Sequence, residues 1–207
     1  MTTGYDEIQN KTKIISTGST EIDKKLGGGI PVGSLVLLEG QSDAGKSVVS
    51  QHFCHGFLNS KMSTAYYTTE NTVKSLMTQM SSLNLDVTDF FLCNRMRVYP
   101  VDISAVRDDD TEGAFQLLLD HIDCLPNRFQ LVIVDSLTGL VTHSEDRAVI
   151  DFFAACTQLC QYYIDTFLID DTHTLSRDTQ TYETVFAFNP EAVALQVRQK
   201  ATLGFDL

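Results

Sequence analysis

The chain has 207 residues, which is enough for one compact domain with a sizeable core but not for two large ones. Fifteen Lys and Arg residues against 27 Asp and Glu give a formal net charge of −12, and so acidic a surface disfavours general nucleic-acid coating and a membrane-surface role. Hydrophobic residues make up 43% of the chain, which argues against intrinsic disorder.

Short apolar runs alternate with segments of helical periodicity along the chain. Apolar runs predict strands at 34–39, 64–69, 95–101, 130–135 and 166–170. Apolar residues three and four apart predict helices at 46–58, 73–83, 115–125 and 149–163. The tail is ambiguous, because residues 189–190 fit a helix start and residues 201–207 fit a strand. Strands that alternate with helices predict an α/β fold with a mostly parallel sheet and helices on both faces.

Cysteine usage and the N-terminal segment favour an intracellular protein. The five cysteines are an odd number without a CxxC pair, which suits a reducing compartment and thiols that pack as small hydrophobes. The first residues, MTTGYDEIQNKTK, lack the apolar core of a signal peptide, and no run approaches the roughly 18 apolar residues of a membrane span. We therefore expect a soluble, cytoplasmic, single domain over residues 1–207.

One motif predicts a phosphate-binding loop. Residues 40–47 match G-x-x-x-x-G-K-[ST] at every defined position, after a predicted strand and at the start of a predicted helix. Backbone amides facing the phosphates are expected from Gly40, Gln41, Ser42, Asp43, Ala44 and Gly45. Lys46 is predicted to reach the β- and γ-phosphates, and Ser47 to offer its hydroxyl to Mg²⁺. The alternative is a glycine-containing loop that only joins the strand to the helix. This alternative does not explain why the complete motif lies between a predicted strand and a predicted helix.

Two acidic residues complete the predicted site. Asp135 ends the strand 130–135, at the edge where parallel sheets bind ligands, and is predicted to hold Mg²⁺ through water. Glu70 follows the strand 64–69, where a carboxylate can polarise an attacking water, which makes it the candidate general base. The alternative for Glu70 is that it caps the helix that follows.

Other candidates fit structural roles better than chemical ones. His173 could sense the nucleotide state from a strand end, but an exposed loop histidine is the simpler interpretation. His52, Cys54 and His55 face different directions on a helix and lack further ligands, so no metal site is expected there. The residues assigned to core packing are Tyr66, Tyr67, Cys156 and Cys160.

Several segments together resemble a known family. Residues 15–23 (ISTGSTEID), 26–34 (LGGGIPVGS) and 40–47 resemble the opening of KaiC-like ATPases of the RecA superfamily. Residues 67–72 (YTTENT) and 131–138 (LVIVDSLT) are similar to the branch that serves the archaeal flagellum, the archaellum. The resemblance extends from about residue 14 to about residue 174.

The resemblance implies a RecA-like P-loop core that binds ATP with Mg²⁺ and can form a homo-hexameric ring. It also implies docking to the archaellum motor ATPase and to the membrane platform protein on the cytoplasmic face, without nucleic acid. The implied function is that of an ATP-binding regulatory or assembly component, a nucleotide-dependent switch. The alternatives are an active KaiC-like ATPase that uses Glu70, Lys46 and Asp135, and a recombinase-like DNA-binding ATPase.

Two departures from the family pattern bear on activity. Where such hydrolases typically carry two adjacent glutamates, this chain has Glu70 followed by Asn71, and an amide cannot act as a base near neutral pH. We therefore expect at most a weak Mg²⁺-dependent ATPase. The chain ends at Leu207, where the family continues through further strands, so the domain is expected to lack them.

Overall fold

A computed structural model describes residues 14–39, 44–102, 111–126, 128–141, 144–162, 166–171 and 193–196. The strands of these residues are β1 (Ile14–Ile15), β2 (Ile30–Pro31), β3 (Ser34–Glu39), β4 (Thr64–Thr68), β5 (Met96–Pro100), β6 (Leu131–Asp135), β7 (Thr166–Asp171) and β8 (Val193–Gln196). The helices are α1 (Thr20–Lys25), α2 (Lys46–Asn59), α3 (Val73–Ser82), α4 (Thr88–Leu92), α5 (Thr111–Asp123), α6 (Thr138–Val141) and α7 (Asp146–Tyr162).

Six of the strands form one sheet in the order β5-β4-β6-β7-β3-β8, and every neighbouring pair in it is parallel. Strands β1 and β2 form a separate antiparallel pair. Although β4 follows β3 in the chain, β6 and β7 lie between them in the sheet. The carboxyl ends of β3, β4 and β6 therefore share one edge, where the chain order of the strands changes and where ligands of such sheets bind.

The sheet is buried on both faces, as the continuous apolar runs predict. Leu35 and Leu37 of β3 belong to a core cluster that includes residues of α5 and α7. Val36 and Leu38 belong to a second cluster, with residues of α2 and α3. Because successive side chains of a strand point to opposite faces, one apolar run serves both clusters. The prediction of a parallel sheet flanked by helices on both faces is confirmed.

The observed boundaries of the helices differ from the predicted ones mainly where the first turn of a helix is polar. Helices α5 and α7 begin at Thr111 and Asp146, before the first apolar residue of each predicted segment, because polar first turns carry no periodic signal. The sequence analysis did not identify the short elements α1, α4, α6, β1, β2 and β8. The predictions for residues 189–190 and 201–207 lie outside the described residues. In the described part of the chain, no helix combines the length and hydropathy needed to cross a membrane.

A closed turn precedes α1 and is organised by the carboxylate of Asp23. This carboxylate accepts hydrogen bonds from Ser16 Oγ at 2.6 Å, from the Thr17 backbone amide at 2.8 Å and from Thr17 Oγ1 at 2.7 Å. Burial raises the pKa of Asp23, but the hydrogen bonds from Ser16 and Thr17 outweigh it and hold the pKa below the usual 3.8. The motif ISTGSTEID is therefore a locally bonded unit rather than an open loop.

Candidate functional site

The helix α2 begins at the phosphate-loop motif. Its N-cap, Gly45, has φ +89°, which favours glycine, and this residue makes no side-chain hydrogen bond to the first turn. The first backbone amides of a helix have no partner within it, so they can bind an anion. Residues 40–43 lie outside the described part of the chain, so the roles of Gly40, Gln41, Ser42 and Asp43 stay predictions.

Lys46, the first residue of α2, is buried with 8% of its surface exposed. Lysine side chains are rarely buried in proteins unless an anionic or polar partner compensates the charge. The lysine that the motif assigns to the β- and γ-phosphates is therefore held within the protein at the amino end of α2. Its direct contact with phosphate stays a prediction.

Ser47 and Asp135 are 88 positions apart in the chain and meet at the shared edge of the sheet. Ser47 Oγ donates a hydrogen bond to Asp135 Oδ1 at 2.9 Å. The Asp135 side chain is almost completely buried, and the peptide bond that follows it is cis. The two residues that the sequence analysis assigned to Mg²⁺ are thus brought together.

The chemistry of this pair fits a magnesium ion bound with a nucleotide. A hydroxyl and a carboxylate are hard oxygen ligands, which Mg²⁺ prefers, and in nucleotide sites the ion takes few protein ligands because phosphates and water supply the others. Because the Ser47 hydroxyl donates its hydrogen bond to Asp135, the lone pairs of the Ser47 oxygen remain available to a cation. Ser47 and Asp135 therefore are the residues that would hold the ion.

Tyr66 is a third member of this cluster, and the assignment of Tyr66 to packing was incomplete. Its hydroxyl donates to Asp135 Oδ2 at 2.5 Å, and its side chain is fully buried. In the register of β4 and β6, Tyr66 aligns with Ile133 and Thr68 aligns with Asp135. Tyr66 and Asp135 therefore lie on the same face, two positions apart. The sequence contains no signal for this contact, because it does not reveal that β4 and β6 are neighbours.

Glu70 lies at the same edge of the sheet, beside Asp135. Its side chain is exposed, and its Oε1 accepts a hydrogen bond from Ser136 Oγ at 3.4 Å. Thr69 joins the two strand ends, since its hydroxyl donates to the Ser136 carbonyl and accepts from the Ser136 amide. The carboxylate is thus positioned near the magnesium ligands, while its role as general base stays a prediction.

The alternative interpretation, that Glu70 caps α3, is wrong because Thr72 has that role. Thr72 is the N-cap, and its hydroxyl accepts from the Ser75 backbone amide at 3.1 Å. Asn71 also belongs to this helix start, since its Oδ1 accepts from Ser75 Oγ at 3.0 Å. The amide that stands in place of a second glutamate is therefore part of the local structure of α3.

Of the remaining candidates, two cysteines have the packing role that the sequence analysis assigned to them. Cys156 and Cys160 are buried core residues of α7. Among the described residues no group of three or more His, Cys, Asp or Glu side chains can hold a metal ion, and this includes the region of His52, Cys54 and His55. His173 lies outside the described residues.

Comparisons with known proteins extend over most of the chain. The family model "ATPase: KaiC" matches residues 15–194. The chain is 30% identical over 156 residues to the "Archaeal flagellar ATP-binding protein FlaH" of Methanocaldococcus jannaschii, and this match covers 73% of the chain and 66% of the relative. It is 29% identical over 141 residues to the protein of the same name from Sulfolobus acidocaldarius, with 67% and 60% covered. The chain thus spans less than two thirds of the length of either relative.

A solved structure shares the fold. The crystal structure of the flagellar accessory protein FlaH from Methanocaldococcus jannaschii superimposes with a TM-score of 0.71 at 22% identity, over 89% of this chain and 80% of that one. This similarity shows a shared α/β fold. The match to the KaiC family model, together with the G-x-x-x-x-G-K-S motif at residues 40–47, defines the chain as a P-loop ATPase of the RecA-like class. Because the family model matches most of its length, the chain belongs to the KaiC family of ATPases.

Proposed function

We propose that this protein is an ATP-binding component of the archaellum motor, in which Mg²⁺-ATP acts as a conformational switch and turnover is slow. The observation that carries the proposal is the Ser47–Asp135 hydrogen bond at the amino end of α2, because it joins the loop motif to a carboxylate at the sheet edge. The likeness to two proteins named archaeal flagellar ATP-binding protein supports the archaellum assignment.

Different groups of the chain are proposed to bind the phosphates and the cation. The first-turn amides of α2 and the Lys46 ammonium would attract the phosphates. Asp135 accepts the hydrogen bond of the Ser47 hydroxyl, which leaves the lone pairs of the Ser47 oxygen available to a cation. A bound Mg²⁺ would neutralise charge on the β- and γ-phosphates. Since the site lies at the edge of the sheet, phosphate and cation enter from solvent at the carboxyl ends of the strands.

The proposal of slow hydrolysis is supported by the groups near Asp135. The proposed base for an attacking water is Glu70, whose Oε1 accepts a hydrogen bond from the Ser136 hydroxyl. Asn71 has no proton affinity near neutral pH and is bonded to Ser75. With a single exposed carboxylate as base, we propose weak ATPase activity rather than rapid turnover.

The proposed partners are the archaellum motor ATPase and the membrane platform protein, with a homo-hexameric ring at the cytoplasmic face of the membrane. We propose that helix α3 changes position with the nucleotide state and contacts these partners. This helix begins two residues after Asn71, and its exposed side is polar. The net charge of −12 supports protein partners rather than nucleic acid.

The experiment that tests this function is a nucleotide-retention assay. The purified protein is loaded with Mg²⁺-ATP, the excess is removed, and bound ATP and ADP are quantified by chromatography over several hours. Retained ATP is the expected result, and Lys46→Ala should abolish loading. Conversion to ADP within minutes would establish the active ATPase instead, and no bound nucleotide would refute the proposal. Salt-sensitive binding of single-stranded DNA would favour the recombinase-like alternative.

A further inference from the structure

The buried hydroxyl of Tyr66 bonds the carboxylate oxygen of Asp135 that Ser47 does not use. Tyr66 Oη lies 2.5 Å from Oδ2, whereas Ser47 Oγ lies 2.9 Å from Oδ1. Asp135 is 2% exposed, and removing a carboxylate from water is costly unless donors replace the lost hydrogen bonds. The two hydroxyls supply such donors at opposite oxygens.

We propose that Tyr66 is a positioning residue for Asp135, which fixes the plane of the carboxylate so that Oδ1 faces Ser47 and the cation. This inference rests on the proposed function, because it assumes that Mg²⁺ accompanies the nucleotide at Ser47. In this role Tyr66 acts through the carboxylate, because its hydroxyl donates to Asp135 Oδ2.

The physical reason is the rotational freedom of an aspartate side chain. The last torsion of Asp is broad and roughly two-fold, so a strand alone does not define which oxygen faces the site. A donor at each oxygen defines the plane. Tyr66 can supply a fixed donor because its ring is rigid and packs in the core cluster between the sheet and α2, with Leu38 and Phe53 among the other members. Partners of this kind orient metal ligands and tune metal affinity.

The neighbouring Tyr67 is a matched control. It has the same ring and is also buried, but it belongs to the core cluster on the opposite face of the sheet. Its hydroxyl lies 2.7 Å from His121 Nδ1, and its ring stacks on Tyr99. Loss of the Tyr67 hydroxyl therefore removes a partly buried polar contact and leaves the contacts of Asp135 unchanged.

The test compares Tyr66→Phe with Tyr67→Phe by two binding measurements. Affinity for a fluorescent ATP analogue is measured in EDTA, and the Mg²⁺ concentration for half-maximal tightening of binding is then determined. For Tyr66→Phe we expect unchanged affinity in EDTA and a Mg²⁺ requirement raised about 10- to 100-fold. Tyr67→Phe should leave both unchanged.

Several other outcomes would contradict the proposed role of Tyr66 in positioning Asp135. An unchanged Mg²⁺ requirement in Tyr66→Phe excludes positioning, and an equal loss of affinity with and without Mg²⁺ assigns Tyr66 to the structure of the phosphate loop instead. In an Asp135→Asn background, Tyr66→Phe should have little further effect, and an additive effect would contradict action through Asp135. Wild-type binding that does not depend on Mg²⁺ would refute the proposed function together with this role. Mg²⁺-dependent wild-type binding combined with an unchanged Mg²⁺ requirement in Tyr66→Phe would refute only the role of Tyr66.

A second measurement uses the wild-type protein and so does not depend on the folding of Tyr66→Phe. The Tyr66 hydroxyl proton should exchange slowly with water and give a resolved, downfield resonance in the proton NMR spectrum, because it is buried and hydrogen-bonded to a carboxylate. We expect this resonance to shift when Mg²⁺ is added to nucleotide-loaded protein. A resonance that stays unchanged at saturating Mg²⁺ would contradict the coupling between Tyr66 and the cation site.

Discussion

Gly56 of α2 lies directly against Thr17, in the turn that precedes α1. A Cβ atom at Gly56 would come within 2.3 Å of the Thr17 carbonyl carbon, closer than any side chain can approach a backbone. Glycine in the middle of a helix is usually unfavourable, so its presence here reflects the close contact of two backbones. The turn that Asp23 organises is thereby attached to the helix that begins at the phosphate loop.

Gly56→Ala should destabilise the fold. The gain in helix propensity is smaller than the cost of moving one backbone away from the other, so we expect a net loss of about 1–3 kcal/mol in the free energy of unfolding. Urea denaturation measures this loss. Gly27→Ala is the control, because it meets no atom within 4 Å and carries only the strain of φ +75°, about 1 kcal/mol. Equal losses in the two variants would contradict the backbone contact.

Ser47→Ala should weaken Mg²⁺-dependent nucleotide binding by roughly 10-fold or more, because it removes both the proposed cation ligand and a donor to Asp135. Ser50→Ala is the matched control on the same helix. The Ser50 hydroxyl is buried and has no hydrogen-bond partner among the described residues, so its removal should leave binding unchanged and leave stability equal or up to about 1 kcal/mol higher. Fluorescence titration with and without Mg²⁺ measures binding, and similar losses in both variants would refute the assignment.

Acidification should destabilise the protein through His52. Burial lowers the pKa of His52 below the usual 6.5, and the neighbouring His55 lowers it further. As the pH falls, the unfolded chain therefore binds a proton at His52 before the folded chain does. The stability that depends on a neutral His52 is complete above pH 6.5 and is lost as the pH falls through the lower pKa of the folded protein. Urea unfolding between about pH 7.5 and 5 should show a smaller pH dependence in His52→Gln than in the wild type. The same slope in both proteins would contradict this prediction.

Thiol labelling should separate the five cysteines into two groups. Cys93 and Cys124 are exposed, whereas the buried thiols are those of Cys54, Cys156 and Cys160. Burial raises the pKa of Cys54 to about 12 and also raises the pKa of Cys156, so neither forms the reactive thiolate near neutral pH. A chromogenic disulfide reagent should therefore modify two thiols quickly in the native protein and the other three only in denaturant. Rapid modification of Cys54 would contradict its burial.

The predictions from sequence succeeded where the signal is local. Strand β6 is five residues from Leu131 to Asp135 that are all buried, so its apolar run is continuous and ends at a single carboxylate. The helix that begins at Lys46 is likewise defined by a motif with fixed spacing. The short helix α4 has no buried residue, so the periodicity that marks longer helices is absent.

By itself, the sequence determined the alternation of strands and helices, the phosphate loop at Lys46 and Ser47, and the acidic ends of two strands. These features depend on periodicity and motif spacing within short stretches. Only the tertiary structure decided the order of strands, and with it the contacts of Asp135 with Ser47 and Tyr66. The reason is that apolar runs of similar composition can pair in several orders, and the choice among them depends on packing between residues far apart in the chain.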